Sequence, residues 1–327
     1  MPAHIAVIIC TWNRVDVLAE TLTSLAQVRA PAGVPVDVLV VDNNSRDTTQ
    51  DHLKARQADW PLGRLHALFE PRQGKQFALN RGIAYAKELG CTLIAFTDDD
   101  VFFPADWLEA VLAAMEDGPE RPALAGGKTR VTWPGGEPPP WYHRNMGAIV
   151  AEVDIGDQRL CPPPPGYSPA GTNLLTRIDL FDRVGGFSET HFRHMDYEFG
   201  QRVAARGECV AYVPSVSVVA PVDPAIVTQR YFRRWSLKAG ISPWKDMAPG
   251  VRHLAWVPLW LYRQMVQDAL AWLVAPLRGE PPADRFLREL RLWRAWGTVA
   301  SRWMSRLRPA AYPAWVEARS QKRQNVY

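Results

Sequence analysis

Residues 1–222 predict an α/β fold, a mostly parallel sheet flanked by helices, and residues 223–327 predict a helical extension. Three observations carry this. Short β-branched runs alternate with stretches of helical period over the first hundred residues, those runs end in polar residues, and the charge balance changes sign near residue 222.

IAVIIC (5–10) is apolar enough for a strand buried on both faces, and Val17, Leu18, Leu22, Leu25 and Val28 recur at helical spacing over 15–28. VDVLVVD (36–42) is the second strand and 46–58 the second helix. LHALFE (65–70) is a weaker strand, 76–89 a helix, and TLIAFTDDD (92–100) a buried strand ending in three acids. Helical period returns over 105–116 and strand composition over 123–133. The proline clusters at 138–140 and 162–165 exclude regular helix, because each proline fixes φ and removes a donor. Residues 178–184 and 197–206 read as helices, and CVAYVP (209–214) with VSVVA (216–220) closes the sheet.

The chain of 327 residues, 47% hydrophobic and 22% charged, fits about two globular domains and excludes a disordered or collagen-like protein. Cys10, Cys91, Cys161 and Cys209 are far apart in sequence and form no C-x-x-C pair, so neither a disulfide framework nor a thiolate zinc site is expected, and a cytoplasmic location fits. MPAHIAVIIC has no basic leader, which argues against a signal peptide.

Residues 1–222 carry 20 Lys+Arg against 27 Asp+Glu, whereas 223–327 carry 18 against 7 and nine of the 14 tryptophans. A basic, Trp-rich extension points to an anionic surface. Residues 251–277 are very apolar but interrupted by Pro258, Arg263, Gln264, Gln267 and Asp268, so an amphipathic helix is expected and not a membrane span. In 285–308, Arg285, Arg288, Arg291, Arg294, Arg302 and Arg306 surround Leu287, Leu290, Trp293, Trp296 and Trp303. Both stretches suit a bilayer interface or packing on the main domain. Trp at helical spacing suits lipid better than base stacking, so no nucleic-acid partner is expected.

Two phosphate-binding devices are missing. No G-x-G follows a strand, and Gly127-Lys128-Thr129 has Pro122 where a P-loop requires glycine. Asp98-Asp99-Asp100 is the strongest feature. On a continuing strand, Asp98 and Asp100 would project to one side roughly 6–7 Å apart, and two ionised carboxylates there call for a cation. Hard oxygen ligands favour Mg²⁺ or Mn²⁺, which complete their shells with substrate phosphates. Asp42, at the end of the second strand, could accept the N3–H of a pyrimidine base.

The ordered segments VIICTWNR (7–14), VVDNNSRDTT (40–49), GKQFALNRGIAYA (74–86), FTDDDVFFPADWL (96–108) and the stretch 171–207 resemble a family 2 glycosyltransferase of the GT-A fold over about residues 5–220. The resemblance implies a nucleotide-binding half (1–100) and an acceptor half (101–222). It places Thr11, Asn13, Arg14 and Asp42 at the nucleoside and Lys75 and Asn80 near ribose or phosphate. It makes Asp98 and Asp100 the D-x-D pair holding Mn²⁺ or Mg²⁺, lines the sugar pocket with Gly171, Thr172 and Asn173, and makes Asp196 the general base, with Glu198 as a fallback. Arg230, Arg233 and Arg234 correspond to basic residues that reach the diphosphate. Two positions depart from the family: Met195 stands where a Glu precedes the base, and Ala220 where relatives place a metal-binding His, a gap that His191 and His194 cannot fill.

The implied function is an inverting transferase adding one sugar per encounter from a nucleotide-diphosphate sugar, expected to be UDP-linked. The acceptor is a glycan or lipid-linked glycan in surface polysaccharide synthesis, with the extension peripheral at the inner face of the plasma membrane. A protein or soluble-glycan acceptor, with the extension as an oligomer interface, is the second expectation. A catalytically silent sugar-nucleotide binder docked on a membrane complex is the third.

Overall fold

A computed structural model gives the structure of residues 2–117, 120–189, 194–241 and 251–321, and these described residues fall into two compact units. The first comprises 2–132, 151–189 and 194–221; the second comprises 133–150, 222–241 and 251–321.

The first unit runs β1 (Ile5–Thr11), α1 (Val15–Leu25), β2 (Val36–Asp42), α2 (Thr49–Ala58), β3 (Arg64–Phe69), α3 (Lys75–Glu88), β4 (Leu93–Asp98), α4 (Trp107–Glu116), β5 (Leu124–Thr132), β6 (Asn173–Arg177), α5 (Leu180–Val184), α6 (Met195–Ala205) and β7 (Val210–Pro221). Its seven strands lie in the order β3-β2-β1-β4-β6-β5-β7, and only β6 runs against the others.

Strand alternation divides the core in two. Ile5, Val7 and Ile9 of β1, Val36, Val38 and Val40 of β2, and Leu93 and Ala95 of β4 pack with Leu18 and Leu22 of α1 and Trp107 and Leu108 of α4. The intervening Ala6, Ile8, Leu39, Val41, Ile94 and Phe96 pack with Ala78, Leu79 and Ile83 of α3 and with Phe181, Phe187 and Phe199. Both faces are covered, so these strands are continuously apolar where a one-sided sheet would alternate. Gly82 lets α3 lie close on β1, since a Cβ there would come within 2.8 Å of Ile8.

Two elements differ from the sequence expectation. Strand β6 was not anticipated, because NLLTR is short and follows a proline-rich loop. The two runs 209–214 and 216–220 form one strand, β7, whose pairing with β5 shifts register between Gly127 and Lys128 to absorb the Pro214-Ser215 step.

The second unit holds α7 (Gln229–Gly240), the ribbon β8 (His253–Leu254) and β9 (Val257–Pro258), α8 (Leu259–Val274), α9 (Pro282–Leu307) and α10 (Tyr312–Gln321). Thr228 caps α7 through Oγ1, which accepts from Tyr231 N at 3.1 Å. Trp141 sets its ring edge-on to Phe232 and Phe286, centroids 5.0 and 5.4 Å away. Residues 251–277 resolve into the ribbon, α8 and a short turn, and 285–308 into α9. The latter buries Phe286, Leu290, Ala295 and Val299 while Trp293, Trp296 and Trp303 stay exposed. Among the described residues, no helix is long and apolar enough to cross a membrane.

Helices α7 and α9 touch backbone to backbone. A Cβ on Gly240 would sit 2.0 Å from Arg294 O, and one on Gly297 would sit 2.1 Å from Leu237 O. Alanine inside a helix ordinarily stabilises by about 0.5–1 kcal/mol relative to glycine. At Gly297 the added methyl must push the helices apart, a strain of about 1–3 kcal/mol. Gly297→Ala is therefore expected to lower the Tm read by thermal circular dichroism; an unchanged or higher Tm would refute the close crossing.

Candidate functional site

The parallel register of β1, β2 and β4 brings the polar strand ends together: Thr11 pairs with Asp42 on one side and Cys10 with Asp98 on the other. Ligands of open α/β sheets bind at this edge. Side chains latch the loops that follow. Asn13, at φ 51°, donates its N–H to Ser45 Oγ at 2.9 Å and accepts from Arg46 N at 2.6 Å, while Asp47 accepts from Val15 N at 3.1 Å. Asp42 is buried; its Oδ1 accepts from Ser45 N at 2.9 Å, while Oδ2 lacks a hydrogen-bond partner. An orphaned buried carboxylate oxygen is costly unless a ligand donor reaches it.

Asn43 organises the approach to α3. Its amide donates to the carbonyls of Glu70 (3.2 Å) and Arg72 (2.6 Å) and accepts from Gly74 N at 2.7 Å. Gly74 takes φ 144°, a conformation open to glycine, and the chain turns there to place Lys75 at the head of α3.

Lys75 Nζ forms an ion pair with Asp98 Oδ1, and Thr172 Oγ1 donates to Asp98 Oδ2 at 3.0 Å. Asp99 accepts from Thr11 Oγ1 and from Arg14 Nη1, both at 2.7 Å; the second guanidinium nitrogen reaches Asp100 Oδ2 at 3.0 Å. Burial works against the charge of Asp98, but the Lys75 ammonium and the Thr172 hydroxyl hold its carboxyl below the usual range. Asp99 is pushed up to about 6, chiefly by burial, with Asp100 and Asp98 adding to Arg14's incomplete compensation. Asp100 is raised by burial and by the charge of Asp98. Burial alone would lower Lys75, yet Asp98 and then Asp196 raise it.

The base candidate borders the same lysine. Asp196 Oδ2 accepts from Gly171 N at 2.9 Å and Oδ1 from Tyr197 N at 2.9 Å. A Cβ on Gly171 would lie 3.7 Å from Asp196 Oδ2 and 3.8 Å from Lys75 Nζ. Asp98, Lys75, Gly171 and Asp196 are thus contiguous, with the lysine between the two carboxylates.

Several expectations need correction. Strand β4 ends at Asp98, so Asp99 and Asp100 lie in a turn and the two-residue alternation does not relate Asp98 to Asp100. Asp196 lies in the first turn of α6, not ahead of it, and the residue preceding the helix is His194 at φ 52°. Glu198 pairs with Arg202, which also donates to Gly186 O at 2.8 Å. Asn80 donates its amide N–H to the carbonyl of Phe187 and accepts from the Phe187 N–H, both at 2.9 Å, which ties α3 to that loop. Asn173 clasps the carbonyls of Lys128 (3.2 Å) and Val216 (2.9 Å) at the β5–β7 register shift. Arg233 pairs with Glu289 and lies over the Phe286 ring within the second unit, and Arg234 is exposed there. Met195 is buried in the core beside α3, and Ala220 is buried in β7 opposite Val131. His191 lies outside the described residues.

Sequence reasoning missed Asp99, Asn43 and Cys10. The middle acid of the triplet is the most buried of the three, and its signal was its position one past the strand end. Cys10 lies beside Lys75 and Asp98, its thiol pushed up to about 12 by burial.

The donor set is of the kind a divalent cation takes: Asp98 and Asp100 offer hard carboxylate oxygens, here paired with Lys75 and Arg14.

Residues 6–181 match the family model described as Glycosyl transferase family 2. The glucosyl-dolichyl phosphate glucuronosyltransferase of Haloferax volcanii is 27% identical over 210 residues, 59% of this chain and 58% of that protein, so the chain spans less than two thirds of that relative's length. Among solved structures, the mannosyltransferase PcManGT of Pyrobaculum calidifontis, in complex with GDP-Man and Mn²⁺, superposes with a TM-score of 0.57 at 18% identity, covering 94% of this chain and 88% of that one. TarS 1–349 of S. aureus in complex with UDP-GlcNAc gives 0.51 at 15% identity, with coverages of 98% and 88%. The fold is GT-A, as the resemblance implied.

Arg14→Ala strips Asp99 and Asp100 of their cation. The variant's Tm is expected to fall by a few degrees, and added Mn²⁺ is expected to raise it by more than it raises the wild type, read by differential scanning fluorimetry. A variant whose Tm ignores Mn²⁺ would remove Asp98 and Asp100 as a cation site.

Proposed function

The chain belongs to glycosyl transferase family 2, and on that premise we propose that this glycosyltransferase inverts the anomeric centre while moving one sugar from a UDP-sugar to a glycan or lipid-linked acceptor in surface polysaccharide synthesis. The observation that carries the reading is the contiguity of Asp98, Lys75, Gly171 and Asp196, which supports a leaving-group cradle beside a base.

Inversion needs one carboxylate to take the acceptor hydroxyl's proton as that oxygen attacks the anomeric carbon from the face opposite the departing diphosphate. We assign this role to Asp196; the N–H groups of Gly171 and Tyr197 that orient its carboxylate support the reading. No general acid is required, since a diphosphate leaves as an anion. Lys75 and Arg14 present positive charge where that anion develops, and transition-state charge is stabilised best by groups already in place. A divalent cation held by Asp98 and Asp100 would supply further charge neutralisation at the diphosphate. Asp42 Oδ2 offers the acceptor for a base N–H, which supports a uracil nucleotide. TarS, bound to UDP-GlcNAc, has the same fold, and the relative named for a dolichyl-phosphate-linked sugar supports a lipid-linked acceptor.

The second unit supports a peripheral site at the inner face of the plasma membrane. Helix α8 exposes Trp260, Val266, Leu270 and Leu273, and α9 exposes Trp293, Trp296 and Trp303, while residues 223–327 carry 18 Lys+Arg against 7 Asp+Glu. Part of that charge is internal, since Arg288 pairs with Glu280 and Arg291 with Asp268. The remainder suits anionic lipid, with indole rings at headgroup depth.

A UDP-release assay over a panel of nucleotide sugars, with and without Mn²⁺, tests the reading. One donor is expected to release UDP in a metal-dependent way, and Asp196→Asn is expected to lower that rate by about 10²–10⁴ while UDP affinity by calorimetry stays nearly unchanged. Wild-type turnover in the variant would remove Asp196 as base, and release from no donor would favour the silent sugar-nucleotide binder.

In liposome co-sedimentation, binding is expected to anionic and not neutral vesicles, partly reversed as salt shortens the Debye length from about 10 Å at 0.1 M to about 3 Å at 1 M. Protein that stays in the supernatant with anionic liposomes at low salt would return α8 and α9 to a packing or oligomer role.

A further inference from the structure

The sequence separates Cys161 and Cys209 by 48 positions, yet the fold places their Sγ atoms 2.8 Å apart. The approach follows from β7. Leu160 and Tyr212 exchange backbone hydrogen bonds as an antiparallel bridge, N to O distances 3.0 and 2.9 Å, which brings the chain at Cys161 alongside the start of β7, where Cys209 immediately precedes Val210. Cys209 is fixed from its other side, since its carbonyl accepts from Ala123 N at 2.9 Å. Both thiols are partly exposed and open on a cleft of about 610 Å³ lined by Glu120, Pro162–Pro165, Tyr167 and Gln201, wide enough for a tripeptide-sized reagent.

We propose that Cys161 and Cys209 are a modification site, a vicinal thiol pair that closes to an intramolecular disulfide in exchange with a small-molecule disulfide such as oxidised glutathione. One protein thiol loses its proton and attacks a glutathione sulfur; the S–S bond of the reagent breaks, one glutathione thiol leaves, and a mixed disulfide remains. The second protein thiol loses its proton and attacks the protein sulfur of that mixed disulfide, releasing the second glutathione. Two electrons pass from the two protein sulfurs to the reagent, which ends as two thiols. Burial, the neighbouring sulfur and Glu120 push the Cys161 thiol up, so the exchange is slow at neutral pH and the bond is a staple more than a rapid sensor.

The staple would enclose the segment that carries Gly171, Thr172, Asn173 and Asp196. Cross-linking a loop this long restricts the unfolded chain most, and in the folded chain it pins both ends of the base-bearing half. Cys10 and Cys91 take no part: they lie elsewhere in the fold, in β1 and just ahead of β4.

The test uses the full chain, reduced and then equilibrated with oxidised glutathione. Thiol titration under denaturing conditions is expected to fall from four to two, and unreduced peptide mapping is expected to recover the Cys161 and Cys209 peptides joined. Cys209→Ser removes the resolving thiol, so Cys161 is expected to keep a bound glutathione. Oxidised wild type is expected to melt a few degrees above reduced wild type, a difference absent in Cys161→Ser. If the wild-type map instead shows free thiols, or separate glutathione adducts on both cysteines, the proposal is overturned; so it is if the pair proves inert because it holds stoichiometric zinc that a chelator must remove. The mapping needs only the wild-type chain, so a variant that fails to fold does not weaken the test.

Discussion

Three consecutive carboxylates at the end of a buried strand impose a charge constraint, and the surrounding structure is arranged to meet it. Like charges at this spacing do not all remain ionised away from water unless cations and donors reach them. Lys75 meets Asp98 from the head of α3, Arg14 spans Asp99 and Asp100 from the turn after β1, and the hydroxyls of Thr11 and Thr172 fill further lone pairs. These partners come from separate segments of the chain. The acid triplet therefore fixes where β1, α3 and the loop before β6 stand relative to β4, so folding and preorganisation of the pocket are one event.

Lys75 connects that triplet to the base candidate. Its charge is held by Asp98 and felt by Asp196, whereas Asp196 itself is oriented by backbone N–H groups and not by a second carboxylate. Met195, where the family resemblance implies a Glu, is here part of the apolar core. The orientation of Asp196 thus rests on main-chain geometry, which a side-chain substitution cannot easily disturb.

The strands whose faces are both buried were legible because they are unbroken apolar runs, and the helices between them because they repeat at 3.6 residues. Asp42, Asp98 and Asp100 were legible because acids at strand ends have few structural uses. What sequence could not show is commitment. Asn80 and Asn173 look like polar pocket residues until the Asn80 amide is seen bonded to Phe187 and the Asn173 NH2 to Lys128 and Val216, and Glu198 looks like a base until its pairing with Arg202 is seen. Asp99 shows the reverse, a residue passed over as a spacer that proves to be the anchor of Arg14. Strand β6 and the Cys161–Cys209 contact depend on a long proline-rich loop returning to the sheet, and no local periodicity encodes that return.

Asp42 Oδ2 is a buried acceptor that the protein's own chain does not satisfy. A fold selected for stability alone would have supplied a donor or replaced the carboxylate with a hydrocarbon side chain of similar size. Keeping it places the chain below its own stability optimum, at the spot where affinity is needed. A donor N–H reaching that oxygen from a bound molecule would recover the deficit, so occupancy of this strand edge and thermal endurance would rise together.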